Sequence, residues 1–299
     1  MQKFKGIMPA IISPCDANDG FCEDAFAAVA TYLYGQSVHG LYVCGATGDG
    51  FSMRLDERKR ATEIAAKVSK DFKGVVITHV GATNNRDACE LGAHAAKVGA
   101  DAVSSMPPSN KSYAQLKDYY TAATKAAGIP LFIYHIPAVT GQNLSLPQLL
   151  ELLDIPGVVG LKFSDANLFV LKRILLERPK AIAFNGNDEL LCPGLLYGAH
   201  GGIGLTYNIF PKLFVKLYEA VQSGDWRRAM ELQNSFQPFL GVAINHNVFA
   251  VLNLMMKEKG FGPFCTRRPR IELSAAQAKQ FHAEADGYLA IIEKTVAAK

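Results

Sequence analysis

Val158-Val159-Gly160-Leu161-Lys162-Phe163-Ser164 is the stretch on which the reading of this chain turns. An apolar run of this length, opened by the turn signal Ile155-Pro156-Gly157, reads as one buried strand of a sheet covered on both faces. Its first charged group, Lys162, then falls at the strand's end. Loss of water disfavours an ammonium, so a lysine in such a place can act on a carbonyl carbon as a free amine, which is imine chemistry. The same side chain can also leave the core and carry its charge to water. Its neighbours in the fold decide between the two.

Working outward, short apolar runs alternate with amphipathic stretches, the pattern of repeated βα units. Strands are expected at 6–12, 40–43, 75–80, 102–105, 131–134, 158–162, 181–185 and 201–204, with helices at 22–35, 55–69, 85–98, 113–127, 146–153, 167–177 and 189–196. Asp56 and Glu57 early in one helix, and Ser145 ahead of Leu146-Pro147 in another, read as helix starts. Eight such units in about 210 residues suit a closed (β/α)8 TIM barrel better than an open doubly wound sheet. After Tyr207 only helical patterns remain, at 211–223, 225–241, 245–258 and 275–297. The α/β fold expected is therefore one domain, a barrel over 1–208 with a C-terminal helical extension over 209–299 packed on it.

Composition narrows the class. The chain has 299 residues, 49% hydrophobic and 19% charged, which is enough apolar material for a large core. A net charge of +4 from interspersed basic and acidic residues gives no nucleic-acid footprint. Thr266-Arg267-Arg268-Pro269-Arg270 is the one dense basic cluster, read as a solvated loop or a subunit contact. Six cysteines lack any CxxC spacing, so neither zinc nor a disulfide framework is expected. The N-terminus lacks the apolar region of a signal peptide and no apolar run reaches membrane length, so the expected setting is the cytoplasm, with no membrane partner. The seven histidines form no short-spaced ligand motif, and no metal is expected.

In a barrel the reactive groups collect where strands end. After the second strand, Cys44-Gly45-Ala46-Thr47-Gly48-Asp49-Gly50 offers close backbone approach and successive amides for an anion, with the Thr47 hydroxyl beside them. It matches neither the dinucleotide fingerprint nor a P-loop. Tyr134 ends the fifth strand and can carry a proton toward the mouth, while His135 should face the other way as a structural residue. Asn185-Gly186-Asn187-Asp188-Glu189 after the seventh strand is dense in hydroxyl-binding groups, although Asp188 can also cap a helix.

Together these segments resemble the class I aldolase family that contains N-acetylneuraminate lyase and dihydrodipicolinate synthase. The likeness rests on Gly45-Ala46-Thr47-Gly48-Asp49, on Tyr134 to Gly141, on Gly160-Leu161-Lys162 and on the glycine-rich run from Gly201. It implies that Lys162 forms an imine with the C2 keto group of pyruvate or a related acid. It further implies that Tyr134 shuttles the proton, and that Ala46 and Thr47 present amides to the carboxylate. No cofactor is implied, and the partners are a small keto acid and a sugar. Family analogy suggests a homotetramer.

Within the family, dihydrodipicolinate synthase carries an arginine where Val139 stands and a tyrosine pair where this chain reads Met106-Pro107-Pro108-Ser109-Asn110, so lysine biosynthesis is disfavoured. Tyr134-His135-Ile136-Pro137-Ala138-Val139-Thr140-Gly141 and Thr206-Tyr207-Asn208 are similar to the N-acetylneuraminate lyase group instead. On that likeness Ser164, Gly186, Asp188 and Glu189 hold the polyol chain. The expected reaction is reversible cleavage of N-acetylneuraminate to N-acetylmannosamine and pyruvate. Leu205 stands where those lyases have a serine, Ala46 replaces a hydroxyl residue and Asp49 shortens a glutamate, which leaves open an aldolase or dehydratase acting on another 2-keto-3-deoxy sugar acid.

Overall fold

Eight parallel strands, β1 (Gly6–Pro9), β2 (Gly40–Val43), β3 (Val75–His79), β4 (Ala102–Ser105), β5 (Leu131–His135), β6 (Val158–Phe163), β7 (Ile182–Asn185) and β8 (Gly201–Gly204), lie in the order β1-β8-β7-β6-β5-β4-β3-β2. A parallel bridge between Ala10 and Tyr42, with the Ile11 amide donating to the Tyr42 carbonyl, joins the two ends of the sheet into a (β/α)8 barrel. The computed structural model describes residues 3–262 and 265–298. Around the strands run α1 (Glu23–Gly35), α2 (Leu55–Phe72), α3 (Asn85–Val98), α4 (Tyr113–Ala127), α5 (Pro137–Thr140), α6 (Leu146–Leu153), α7 (Leu168–Glu177) and α8 (Leu191–Leu196). Ser145 caps α6, with Gln148 answering at the third position and Pro147 near the start, as its sequence signals require.

The strand period of two divides the apolar residues into two cores. Phe4, Met8, Tyr42, Val75, Ile77, Ala102, Phe132, Tyr134, Ile182, Phe184 and Ile203 fill the lumen. Their sequence neighbours, such as Leu41, Val43, Val76, Val103, Ile133, Leu161 and Phe163, pack outward under the helices.

One irregularity controls which set Lys162 joins. Along β5 and β6, Leu131 pairs with Val158 but the next residue, Phe132, pairs with Gly160, so Val159 is an extra residue in a β-bulge. Beyond it Tyr134 pairs with Lys162, and both side chains turn into the lumen while Leu161 and Phe163 turn out. A slip of one residue would exchange the faces and bury Leu161 in the lumen instead. The bulge needs Gly160, because a Cβ there would sit 1.9 Å from the Ile182 carbonyl oxygen on β7.

Four further helices follow the barrel: α9 (Pro211–Ser223), α10 (Trp226–Asn245), α11 (Val248–Glu258) and α12 (Ala275–Ala297). Phenylalanines tie them together, with Phe214 against Phe236, Phe210 against Phe239, and Phe239 against Phe281 of α12. Helix α10 extends four residues past the expected end at 241. It stops where Asn247 adopts a left-handed backbone, φ +65°, and accepts the Phe249 amide with its side chain, which starts α11. The helix expected over 189–196 is a 3-10 turn, Asp188–Leu190, followed by α8. Among the described residues no single helix is long and apolar enough to cross a membrane.

Gly160→Ala should lower unfolding free energy by about 1–3 kcal/mol, since the opposing atom is backbone and cannot swing aside. Urea unfolding checks it, and a variant as stable as the parent would refute the close-approach account.

Candidate active site

The bulge sets Lys162 and Tyr134 side by side in the uppermost part of the lumen. Lys162 Nζ lies 4.0 Å from the centre of the Tyr134 ring and 4.8 Å from that of Tyr42, and the residue is 4% exposed. The lysine therefore points inward rather than snorkelling to solvent. Tyr42 and His79 frame Tyr134 edge-on at 5.9 and 6.1 Å between ring centres, which fixes the phenol's plane. The Tyr42 hydroxyl donates to Ser104 Oγ at 3.0 Å. His79 Nε2 accepts the Met106 amide at 3.0 Å, so the ring's proton resides on Nδ1. Burial, reinforced by the charges of Arg58 and Lys162, pulls the His79 imidazole well below its ordinary range and keeps it neutral. His135 faces the other way, its ring stacked on Phe163 beneath the helices.

The loop after β2 supplies the next wall. Cys44 and Asp49 both hold left-handed backbone, φ +57° and +54°, and the turn between them leaves the amides of Ala46, Thr47 and Gly48 without an acceptor among the described residues. Successive free N–H groups in a turn make a concave seat for an anion. Burial pushes the Asp49 carboxyl up to about 6, against the opposing pull of Arg270 and Arg267. Arg270 pairs with it at 3.0 Å.

Opposite lies the loop after β7. Ser164 Oγ is buried and has no hydrogen-bond partner among the described residues, and a Cβ on Gly186 would come within 1.9 Å of it, so the glycine makes room for the hydroxyl. The Gly186 amide is already given to the Phe163 carbonyl. Asp188 Oδ2 accepts both the amide and the hydroxyl of Thr206, at 2.7 and 2.5 Å, so Asp188 braces the loop after β8 and does not cap a helix with its side chain. Burial raises its carboxyl to about 6, despite those two donors. The Glu189 carboxylate makes no hydrogen bond or ion pair with any described residue. Helix α10 secures the turn from behind: Gln233 and Gln237, one helical turn apart, donate to the backbone carbonyls of Asp188 and Glu189.

These walls enclose one pocket of about 330 Å³ that includes Ala46, Thr47, Tyr134, Lys162, Ser164, Gly186, Asp188, Glu189 and Leu205. Every site residue expected from the sequence thus lines a single cavity at the C-terminal ends of the strands. Larger grooves, of about 420 Å³ at the opposite barrel end and about 650 Å³ beside α12, pair no lysine with a proton carrier in a lumen. Asn187, part of the loop expected to bind hydroxyls, lines the pocket as well, whereas Tyr42 and His79 beside Tyr134, and an apolar rim from the extension, Leu240, Ile244, Val248 and Phe249, carry no signal that the sequence reading uses. Tyr42 and His79 were open to detection as inward positions near strand ends. The rim residues come from helices whose approach to the mouth is set by tertiary packing alone. Thr206-Tyr207-Asn208 is largely structural: Asn208 bonds Ala10 and Ile12 across the seam of β1 and β8, and Tyr207 packs on Phe214.

The basic cluster at 266–270 corrects its expected role. Arg267 is 4% exposed and pairs with the buried Glu57, and Arg270 reaches into the loop after β2, so only Arg268, paired with Asp19, behaves as a solvated side chain. The reason is geometric, since the segment before α12 crosses the barrel mouth. Among the described residues no group of three or more His, Cys, Asp or Glu side chains is arranged to hold a metal ion.

A barrel carrying an inward lysine beside a tyrosine, a seat of free amides and a loop with two carboxylates defines a class of carbonyl-handling barrel proteins. The model of the Dihydrodipicolinate synthetase family matches residues 3–287, and the chain belongs to that family. It is 33% identical over 290 residues to an N-acetylneuraminate lyase of Escherichia coli, covering 92% of this chain and 97% of the relative, and 34% identical over 258 residues to an N-acetylneuraminate lyase of Salmonella paratyphi B, covering 85% and 86%. Among solved structures, a sialic acid aldolase of Ruminococcus gnavus, a catalytic lysine mutant, superposes with a TM-score of 0.93 at 26% identity over 99% of both chains. CdNal from Clostridium difficile, in complex with mannosamine, gives 0.90 at 27% identity over 95% of this chain and 99% of that one.

Proposed function

We propose that the chain is a class I aldolase that cleaves N-acetylneuraminate reversibly to N-acetylmannosamine and pyruvate through an imine on Lys162. The observation that carries this reading is the Lys162 amine held in the lumen 4.0 Å from the Tyr134 ring, at the floor of the pocket. Names shared by relatives at 33–34% identity support the substrate.

In this reading Lys162 Nζ bonds to C2 of the open-chain keto acid and water leaves, giving an iminium. Tyr134 gives its phenol proton to the departing water, and the phenolate then takes the proton of the C4 hydroxyl as the C3–C4 bond breaks, with the bond's electrons passing to C3 as an enamine in place of a bare carbanion. Protonation at C3 and hydrolysis release pyruvate and restore the amine. The amides of Ala46 and Thr47 receive the carboxylate, and Ser164, Gly186, Asp188 and Glu189 face the polyol. No cofactor takes part. Six free thiols support a reducing, cytoplasmic setting.

Leu205 supports a second reading, an aldolase or dehydratase for another 2-keto-3-deoxy sugar acid, because it gives the distal end of the pocket an isobutyl group with no hydrogen bond to offer.

Incubation with pyruvate and borohydride should add the reduced pyruvyl mass to the parent protein and nothing to Lys162→Ala. Tyr134→Phe should still be trapped but turn over at least about 100-fold more slowly. An unmodified parent protein rules out the imine. Pyruvate release across a set of sugar acids tests the substrate: turnover of N-acetylneuraminate supports the first reading, and turnover of a shorter deoxy acid alone supports the second, with Leu205→Ser then expected to gain N-acetylneuraminate activity. A dehydratase would consume its acid without releasing pyruvate. Family analogy suggests a homotetramer, and the exposed Phe169, Leu176, Leu196 and Tyr197 on and after α7 and α8 are apolar side chains that a contact between copies would cover. Sedimentation velocity should give about four times the 32.4 kDa chain mass, and a monomer would exclude it.

A further inference from the structure

Arg270 lies outside the pocket, in the segment between α11 and α12, yet it touches three parts of the site's support. Its Nη2 donates to the Ala46 carbonyl at 2.8 Å, its Nε pairs with Asp49 Oδ1 at 3.0 Å, and its guanidinium carbon lies over Phe249, 3.7 Å from the ring centre. The fork geometry of a guanidinium allows it to serve a carbonyl and a carboxylate of the same loop at once. Phe249 in turn lines the pocket from α11.

The Ala46 carbonyl and the Thr47 amide belong to one peptide unit. In a trans peptide the C=O and N–H point in opposite directions. Whatever holds the Ala46 oxygen therefore aims the Thr47 N–H, and that N–H has no acceptor among the described residues. The other contact on the Ala46 oxygen is the Asp49 amide, longer at 3.3 Å, and Asp49 is itself held by Arg270. We infer that Arg270 is a positioning residue for the carboxylate end of the substrate: it fixes the Ala46–Thr47 peptide so that the Thr47 amide faces into the pocket. This rests on the proposed imine reading, and deepens it by assigning the rigidity of the anion seat to a residue of the C-terminal segment.

The consequence is selective. A ketone that carries a carboxylate should feel the loss of Arg270, whereas a neutral ketone that needs only Lys162 should not. The test is borohydride trapping at increasing concentrations of pyruvate and of hydroxyacetone, read by protein mass, for the parent, Arg270→Met and Arg270→Lys. Arg270→Met should need about tenfold more pyruvate for half-maximal trapping, the loss of one charge-assisted hydrogen bond, with hydroxyacetone unchanged within about twofold. Arg270→Lys should fall between, since an ammonium can pair with Asp49 but cannot grip the carbonyl in the same fork. An unchanged pyruvate dependence in both variants overturns the inference. So does an equal loss toward both ketones, which would mean a general disturbance of the site. A parent protein that reacts with neither ketone overturns the imine reading, and this inference falls with it.

Discussion

The bulge in β6 is the constraint on which the rest depends. A strand admits only two side-chain directions, so the difference between a lysine in the lumen and one under the helices is a single inserted residue, Val159, and the glycine that lets the backbone of β6 approach β7. With the insertion, Lys162 and Tyr134 become register partners on adjacent strands, which is as rigid a way of holding two side chains together as a protein offers. A pair held on loops would need its own supporting contacts. Here the barrel ladder does that work, and the lumen aromatics Tyr42 and His79 set only the rotation of the phenol.

The helical extension finishes what the barrel begins. Gln233 and Gln237 hold the carbonyls of the turn after β7, Leu240 and Ile244 continue the same face of α10 into the rim, and Arg270 holds the loop after β2 from the far side. The spacing of these α10 residues is that of one helical stripe, so a single docking of the helix places them all. Two loops that no strand fixes are thus fixed by the last third of the chain.

Much of this was legible in the sequence, and what was not has a common cause. The strands at 40–43, 102–105 and 201–204, and the helices over 85–98, 113–127, 146–153, 211–223 and 275–297, end where local signals place them. Lys162, Tyr134 and the Gly45–Asp49 turn announce themselves because their chemistry sits at the end of an apolar run. Arg270 and Phe249 do not. Nothing within ten residues of Arg270 indicates that it will meet a turn more than two hundred positions earlier, and a basic cluster in a proline-containing loop ordinarily faces water. Helix α5, four residues long, is too short to leave a periodic trace. Asp188 is an intermediate case: a carboxylate in the expected place, but turned to brace Thr206 on the neighbouring loop after β8.

The charges that line the pocket carry the argument one step further. Among the described lining residues Lys162 is the sole basic side chain, and the carboxylates Asp188 and Glu189 stand together on the loop after β7, across the pocket from the loop after β2. On the proposed reading, a substrate that is itself a carboxylate is attracted to the free amides of the loop after β2 and repelled by the acids of the loop after β7. The polarity of the pocket alone therefore sets which way round a keto sugar acid enters, before any hydroxyl is recognised. A guanidinium inside the pocket would strengthen that attraction, but it would also put a fixed positive charge beside the iminium that must form on Lys162. Keeping Arg270 behind the Ala46–Thr47 peptide avoids the conflict, because the carboxylate then meets the N–H end of a dipole whose other end the arginine holds.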